Sequence, residues 1–228
     1  MILYLGLLMS ELKHIPPNTV ERLILYRWTL KKYRSPENTH IVSRKLSELT
    51  GFSSAQIRRD FMSIGYAGSP GNGYRIDNLV SAIDSALLPD TPQNIAVIGI
   101  GQLGKAFINY ISGRSSRLKI KAAFDIDTKK TGRVIHGCRT FHVDRIEEII
   151  AEENITLAIL AIPADHVQSI ADRLYHAGVK AFLNYSSVKL TLPEHIYIEN
   201  RDMLSAVEKI AYFARTSTER TKHNEGIG

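Results

Sequence analysis

The chain has 228 residues, 44% of them apolar and 23% charged, a balance typical of water-soluble globular proteins, with enough length for one large core or two small ones. Twenty-nine Lys and Arg against 23 Asp and Glu leave a net charge of +6, a moderate excess that raises the question of a polyanionic partner without answering it. A single cysteine, Cys138, excludes an intramolecular disulfide and any cysteine-rich zinc or iron–sulfur site, which suits a reducing cytoplasm.

The opening run, MILYLGLLM, is strongly apolar, yet it is too short to span a bilayer and lacks the basic start and small-residue cleavage site of a signal peptide. A polar, helix-compatible segment follows Met9, so Met9 reads as the translation start and residues 1–14 as an extension. Between 19 and 33, Val20, Leu23, Ile24, Trp28 and Leu30 approximate a helical stripe, with Pro16 and Pro17 before it and Asn18 or Thr19 as cap. A second helix fits 42–50 and closes on Gly51. Ser53 and Ser54 then cap a third, in which Ile57, Phe61 and Ile64 face inward and Gln56, Arg58, Arg59 and Ser63 face outward.

Two short helices joined by a glycine-containing turn form the helix-turn-helix pattern, and the second carries the groups that read base edges. Arginine pairs bidentately with guanine and glutamine with adenine, while the hydroxyls of Ser53 and Ser54 and the first-turn amides suit a phosphate. A three-helix packing unit with a solvated basic face is the competing reading. Between residues 22 and 59, however, nine basic side chains stand against two acidic ones. The glycine-punctuated segment 65–77 then reads as a hairpin wing, with Asn72, Gly73, Tyr74 and Arg75 as contacts to a groove or phosphate backbone. A helix over 79–87 leads into a Pro-bearing linker, 88–93. The expected division is therefore 1–87, the linker, and a second domain from 94.

That second domain opens on NIAVIGIGQLG, residues 94–104. An apolar β-rich run ends at Gly99, and glycines recur at 101 and 104. The pattern is the dinucleotide fingerprint: a tight turn at Gly99, close approach of a pyrophosphate at Gly101, and helix-on-strand packing at Gly104. The helix that follows, 103–112, directs its N-terminal amides at the phosphates. A plain tight turn is the bland alternative. Against it, a second strand, 118–124, ends at Asp125, 21 positions beyond Gly104, where a carboxylate meets an adenosine ribose and disfavours a 2′-phosphate. Lys129 and Lys130 lie nearby and would tolerate a phosphate. Helix 145–153, strand 157–161 closed by Pro163, helix 165–176 and strand 181–184 continue the alternation of a doubly wound parallel sheet. His166 and His176, at the start and end of one helix, read as ordinary electrostatic neighbours of its ends rather than catalysts.

From about Ile15 to Arg215 the chain resembles the Rex redox-sensing transcriptional repressors of bacteria. IPPNTVERLILY resembles the family's opening helix, SSAQIRRDF its recognition helix and GNGYRIDNL its wing. IGIGQLGKAFINY resembles its glycine fingerprint, FDIDTKKTG its second-strand motif, and IPADHVQSIADRL, GVKAFLNYS and LPEHIYIENRDM the later sheet and the approach to the last helix. The resemblance implies a winged helix-turn-helix domain, a Rossmann-type domain over 94–200, and a C-terminal helix within 201–228 that is swapped into the partner subunit. It also implies a homodimer that binds NADH or NAD⁺ and is released from a palindromic operator by NADH, with no catalysis, no metal and no membrane. By motif position, Gly99, Ile100, Gly101, Gln102, Leu103, Gly104, Asp125, Lys130, Pro163 and Tyr110 are the implied cofactor contacts. Tyr110 and Asp202 are the implied switch residues.

Three positions depart from the family pattern: Trp28 stands where an arginine is usual, Ser69, Pro70 and Asn72 occupy a normally basic wing, and Ser187 replaces a proline. The rival readings are a small NAD-dependent oxidoreductase and a nucleotide-binding module that binds another protein. For the first, only 28 residues follow Asn200, too few for a substrate domain.

Overall fold

The structure, a computed structural model, describes residues 15–69, 71–88 and 91–225. The apolar opening run and the reading of Met9 as a start lie outside the described residues. The chain divides into two units, one ending at Asp90 and the next beginning at Thr91.

In the first unit, Pro17 occupies the first helical position of α1 (Pro17–Tyr33), where its missing N–H costs nothing and its fixed φ favours the turn. α1 buries Thr19, Leu23, Tyr26 and Leu30. This differs from the expected stripe. Tyr26 takes the core position, meeting Phe61 edge-on at 5.5 Å, while Trp28 is 61% exposed. Strand β1 (His40–Ile41) precedes α2 (Ser43–Thr50), which ends on Gly51 in the left-handed conformation. Ser53 caps α3 (Ser54–Ser63), its hydroxyl accepting from the Gln56 amide at 3.2 Å. Ile57 and Phe61 of α3 are fully buried against Leu23, Leu30 and Leu46.

The wing is slighter than the expected hairpin. Ser69 and Gly73 form one isolated bridge, and β2 (Tyr74–Arg75) pairs antiparallel with β1 instead of with the segment just before it. Gly73, at φ +70°, makes that pairing possible, since a Cβ would meet Val42 Cγ1 at 2.9 Å and crowd the Ile41 carbonyl. α4 (Ile76–Leu87) begins at once after β2, three residues earlier than expected, because Ile76 as well as Leu79 and Ile83 enters the core.

The second unit is built on a seven-stranded sheet. Its elements are β3 (Gln93–Ile98), α5 (Gln102–Ile111), β4 (Leu118–Asp125), β5 (Val134–Ile135), β6 (Cys138–His142), α6 (Ile146–Glu152), β7 (Ile155–Leu160), α7 (Ala164–His176), β8 (Ala181–Asn184) and β9 (Tyr197–Asn200). The strand order is β5-β6-β4-β3-β7-β8-β9, parallel throughout except for the edge pair β5–β6. The chain starts in the middle, at β3, moves outward one way through β4 and then returns to the other side at β7. The crevice beside the C-terminal end of β3 is therefore the place where α/β sheets of this kind take ligands.

Strand alternation supplies both faces. Ala96 and Ile98 pack with Phe124, Ile149 and Val167 on one side, while Ile95 and Val97 pack with Ile108 and Cys138 on the other. Strands buried on both faces read as continuous apolar runs, which is how β3 and β7 appear in the sequence. The hairpin β5–β6 and strand β9 have no counterpart in the sequence reading. His136 and Gly137, both at positive φ (46° and 82°), make the two-residue turn that joins β5 to β6. After β9 comes α8 (Met203–Glu225). Leu204, Val207, Ile210 and Phe213, spaced three apart on α8, are all more than half exposed in the single chain.

Candidate functional site

At the end of β3 the backbone turns at Gly99 (φ +94°), whose amide donates to the Phe124 carbonyl at 2.8 Å while the Ala161 amide donates to the Ile98 carbonyl at 2.8 Å. The turn is thereby tied to both neighbouring strands. A Cβ on Gly99 would meet the Ala161 backbone and come within 2.8 Å of Ile162 Cγ2, so only glycine fits. Gly104, in the first turn of α5, lies on Gly99: its Cβ would clash with the Gly99 carbonyl oxygen. Gly101 is different in kind. Its φ of −79° suits any residue and a Cβ there would meet nothing within 4 Å, so its need for glycine comes from the open space beside it. No side chain caps α5, which leaves its first-turn amides to an anion.

That open space is a cavity of about 490 Å³ at the C-terminal edge of the sheet, reached by Gly99, Gly101, Asp125, Lys130 and Pro163. Asp125 ends β4, almost fully buried. Its Oδ2 accepts from the Ile100 amide at 2.7 Å and its Oδ1 from the Asp127 amide at 2.9 Å, while Lys130 Nζ lies 3.2 and 3.4 Å from the two oxygens. Burial works to raise the carboxyl's pKa. The amide bonds from Asp127 and Ile100 and the Lys130 ammonium outweigh it and hold the group below the ordinary carboxylate range. An ionised carboxylate braced by two amides is a fixed acceptor for sugar hydroxyls and an obstacle to a phosphate.

The remaining residues expected at the cofactor fall into distinct places. Ile100 is fully buried, and its contribution is its amide, which orients Asp125. Gln102, Leu103 and Gly104 form the first turn of α5. Tyr110 stands in the last turn of the same helix, away from the cavity lining, with the Arg114 guanidinium 4.2 Å from its ring centroid. Asp202 stands immediately before α8, accepting from the Leu204 amide at 3.0 Å and from the Ser205 hydroxyl.

One wall of the cavity escaped the sequence reading. His166, Ser169, Ile170 and Arg173 line it from α7, and Val143 and Ile126 close the adjacent side. Arg173 ties this wall together, donating to Glu147 at 2.7 Å and to the Val143 carbonyl at 3.0 Å. The i, i+3, i+4, i+7 spacing from His166 was the available signal, since it places the four on one helical face.

In the first unit, Arg58 and Arg59 are exposed on α3. Arg58 Nη1 donates to Ser43 Oγ at 3.1 Å, and Arg59 Nη2 to Gln56 Oε1 at 2.8 Å. Asn72 is exposed at the wing. Tyr74 is not: it is 7% exposed, its ring 5.0 Å from that of Phe61, so the structure puts this expected DNA contact in the core. Arg75 serves as the residue before α4. Cys138 is buried on the α5 side of the sheet, and burial pushes its thiol up to about 12. Among the described residues no group of three His, Cys, Asp or Glu side chains is placed to hold a metal, and no helix is long and apolar enough to cross a membrane.

Comparison with known proteins matches both units. Residues 14–61 match the family model "Putative DNA-binding protein N-terminus", and residues 90–188 match "CoA binding domain". The chain is 37% identical over 206 residues to the redox-sensing transcriptional repressor Rex of Anoxybacillus flavithermus, covering 90% of this chain and 97% of that protein. It is 36% identical to the Rex of Geobacillus kaustophilus, with 90% and 96% covered. Among solved structures, it superposes on RSP in complex with β-NAD⁺ and operator DNA with a TM-score of 0.84 at 32% identity, covering 91% of this chain and 96% of that one. RSP in complex with β-NADH gives a TM-score of 0.80 at 30% identity, with 92% and 99% covered.

Proposed function

The chain belongs to the Rex family of redox-sensing transcriptional repressors, and from that premise we propose that it is a cytoplasmic homodimer that binds a palindromic operator and leaves it when NADH fills its cofactor sites. The observation that carries the reading is the union, in one chain, of an arginine-bearing recognition helix with a cavity where Gly101 and Asp125 suit a pyrophosphate and a ribose. Relatives named as repressors set aside the readings as a small oxidoreductase or a protein-interaction module.

The working parts are then a winged-helix domain (1–87), a linker (88–93), a Rossmann domain (94–200) and a C-terminal helix (201–228) exchanged between subunits. Gly99, Gly101 and the amides of Gln102, Leu103 and Gly104 hold the pyrophosphate. Asp125 and Lys130 take the adenosine ribose, and Pro163 closes the edge. Ser53, Ser54 and the α3 amides grip a phosphate, Gln56, Arg58 and Arg59 face the major groove, and Asn72 and Gly73 carry the wing to the backbone. Tyr110 and Asp202 form the switch between oxidised and reduced occupancy. The exposed stripe of Leu204, Val207, Ile210 and Phe213 on α8 supports the exchange, because apolar surface of this extent calls for a partner.

NADH and NAD⁺ differ by one positive charge at the nicotinamide, so a largely apolar lining favours the neutral reduced ring. Two recognition helices enter successive major grooves only if they sit about 34 Å apart. A reduced-cofactor dimer with another spacing binds DNA more weakly, and DNA must lower NADH affinity by the same factor. Moving a dimer from 99% open to 99% closed takes about 5.5 kcal/mol of differential binding, which two cofactor sites can share. Fluorescence anisotropy with a selected palindrome, at fixed salt, with no cofactor, with NAD⁺ and with NADH, tests the reading. Release by NADH alone supports it, and equal binding in all three conditions refutes it.

A further inference from the structure

The recognition helix α3 carries three glutamine- and arginine-type candidates, Gln56, Arg58 and Arg59, and their side chains are not equally available. Gln56 Nε2 lies 2.8 Å from Asp60 Oδ1. An ionised carboxylate only accepts, so the amide nitrogen has to face it and the orientation of the carboxamide is settled by chemistry. The opposite end, Oε1, accepts from Arg59 Nη2 at 2.8 Å.

Asp60 is itself firmly anchored. It is 2% exposed, though it belongs to α3, and turns inward to α1. Arg22 holds it with two bonds of 2.7 Å, and the Tyr26 hydroxyl donates a third at 2.9 Å. The result is a continuous line of hydrogen bonds from the core of the unit, through Asp60 and Gln56, to an exposed guanidinium. Pairing with adenine requires a carboxamide to turn its donor and acceptor together to the base edge, and the bonds to Asp60 and Arg59 already fix the direction of the Gln56 carboxamide. Turning it to a base would strip a donor from a buried carboxylate.

We infer that Gln56 and Asp60 are positioning residues that fix the guanidinium of Arg59 for base reading, and that Gln56 does not itself read a base. Arg59 spends one N–H on Gln56 and keeps four, enough for a bidentate contact with guanine. A long flexible side chain held in one orientation before DNA arrives loses less freedom on binding. Arg58, by contrast, is held by a single neutral hydroxyl, that of Ser43.

The inference rests on the proposed function as an operator-binding protein. The test uses the full-length protein, a palindrome selected by it, and the set of single base-pair variants of that palindrome. Gln56→Leu, Arg59→Ala and the double substitution are compared by anisotropy, with Gln56→Ala as a second probe should the leucine disturb folding. The expected result is that Gln56→Leu weakens binding about tenfold and loses discrimination at the base pair that Arg59→Ala also loses. The double variant should then be no weaker than Arg59→Ala alone, since positioning has no effect without the group positioned. Losses that add in the double variant, or a second base pair released by Gln56→Leu, would overturn it. Failure of the unsubstituted protein to bind any palindrome would instead bring down the proposed function, and this inference with it.

Discussion

The three fingerprint glycines sit within six residues, yet alanine at Gly101 and at Gly104 should damage different properties. At Gly104 a Cβ would clash with the Gly99 carbonyl, a backbone obstacle that cannot swing aside as a side chain would, so α5 has to move off β3. Overpacking of this kind costs about 1–3 kcal/mol, and the better helix propensity of alanine returns up to about 1 kcal/mol. The net loss of roughly 1–2 kcal/mol corresponds to a melting midpoint lower by about 3–8 °C for a unit of this size. At Gly101 the backbone already suits alanine and its Cβ meets nothing, so stability should change by less than about 0.5 kcal/mol. There the methyl enters the open space proposed for the pyrophosphate, and the same overpacking range predicts NADH affinity weaker by roughly tenfold or more. Thermal melts without cofactor and NADH fluorescence titrations separate the two. A Gly101→Ala protein that binds NADH normally would refute the placement of the phosphates, and a Gly104→Ala protein that melts normally would refute the packing argument.

Asp125→Asn should weaken NADH and narrow the preference for it over NADPH, because Lys130 would lose the nearer of its two carboxylate partners and be freer to meet a 2′-phosphate. Competition titration checks this, and undiminished exclusion of NADPH would count against it. Asp60 makes a pH prediction. Burial acts to raise its pKa, but the bonds from Arg22, Gln56 and Tyr26 outweigh burial and hold the carboxyl below its ordinary value in the folded state. Its stabilisation is therefore complete above the unfolded value near 3.9 and is lost as pH falls through the lower folded value. Asp60→Asn should cost about 2–4 kcal/mol at neutral pH, since it leaves Arg22 half-buried without its counter-charge, and should flatten the acid limb of a denaturation series. An unchanged acid limb would remove Asp60 from that role. Ile210→Glu, at a position 70% exposed in the single chain, should convert a dimer to a monomer by light scattering with little loss of ellipticity; a dimer that persists would exclude this face from the interface. Cys138, with its thiol raised to about 12 by burial, should react with alkylating reagents only on unfolding, and rapid labelling of the native protein would contradict that.

Where a residue's role depends on its immediate chain neighbours, the sequence alone determined it. The run Ile95–Ile98 followed by three spaced glycines can form little other than a buried strand, a tight turn and a helix start, and Asp125 falls at the end of the neighbouring strand, on the cavity, because one β–α–β crossover has a nearly constant length. Ser53 caps α3 for the same local reason, a hydroxyl three residues from an otherwise unsatisfied amide. What depended on partners far along the chain stayed hidden. Tyr26 displaces Trp28 from the α1 stripe because Phe61 and Asp60, more than thirty residues away, receive its ring and its hydroxyl. Tyr74 leaves the wing for the core because β2 pairs with β1 across the intervening helices. His166, Ser169, Ile170 and Arg173 become a cavity wall only when α7 is laid beside the end of β4, and the Gln56 carboxamide is held between Asp60 and Arg59 only because Asp60 is anchored from α1. Periodicity tells which side of an element turns inward, but the side chains waiting there are contributed by packing, which brings together residues that the sequence keeps apart.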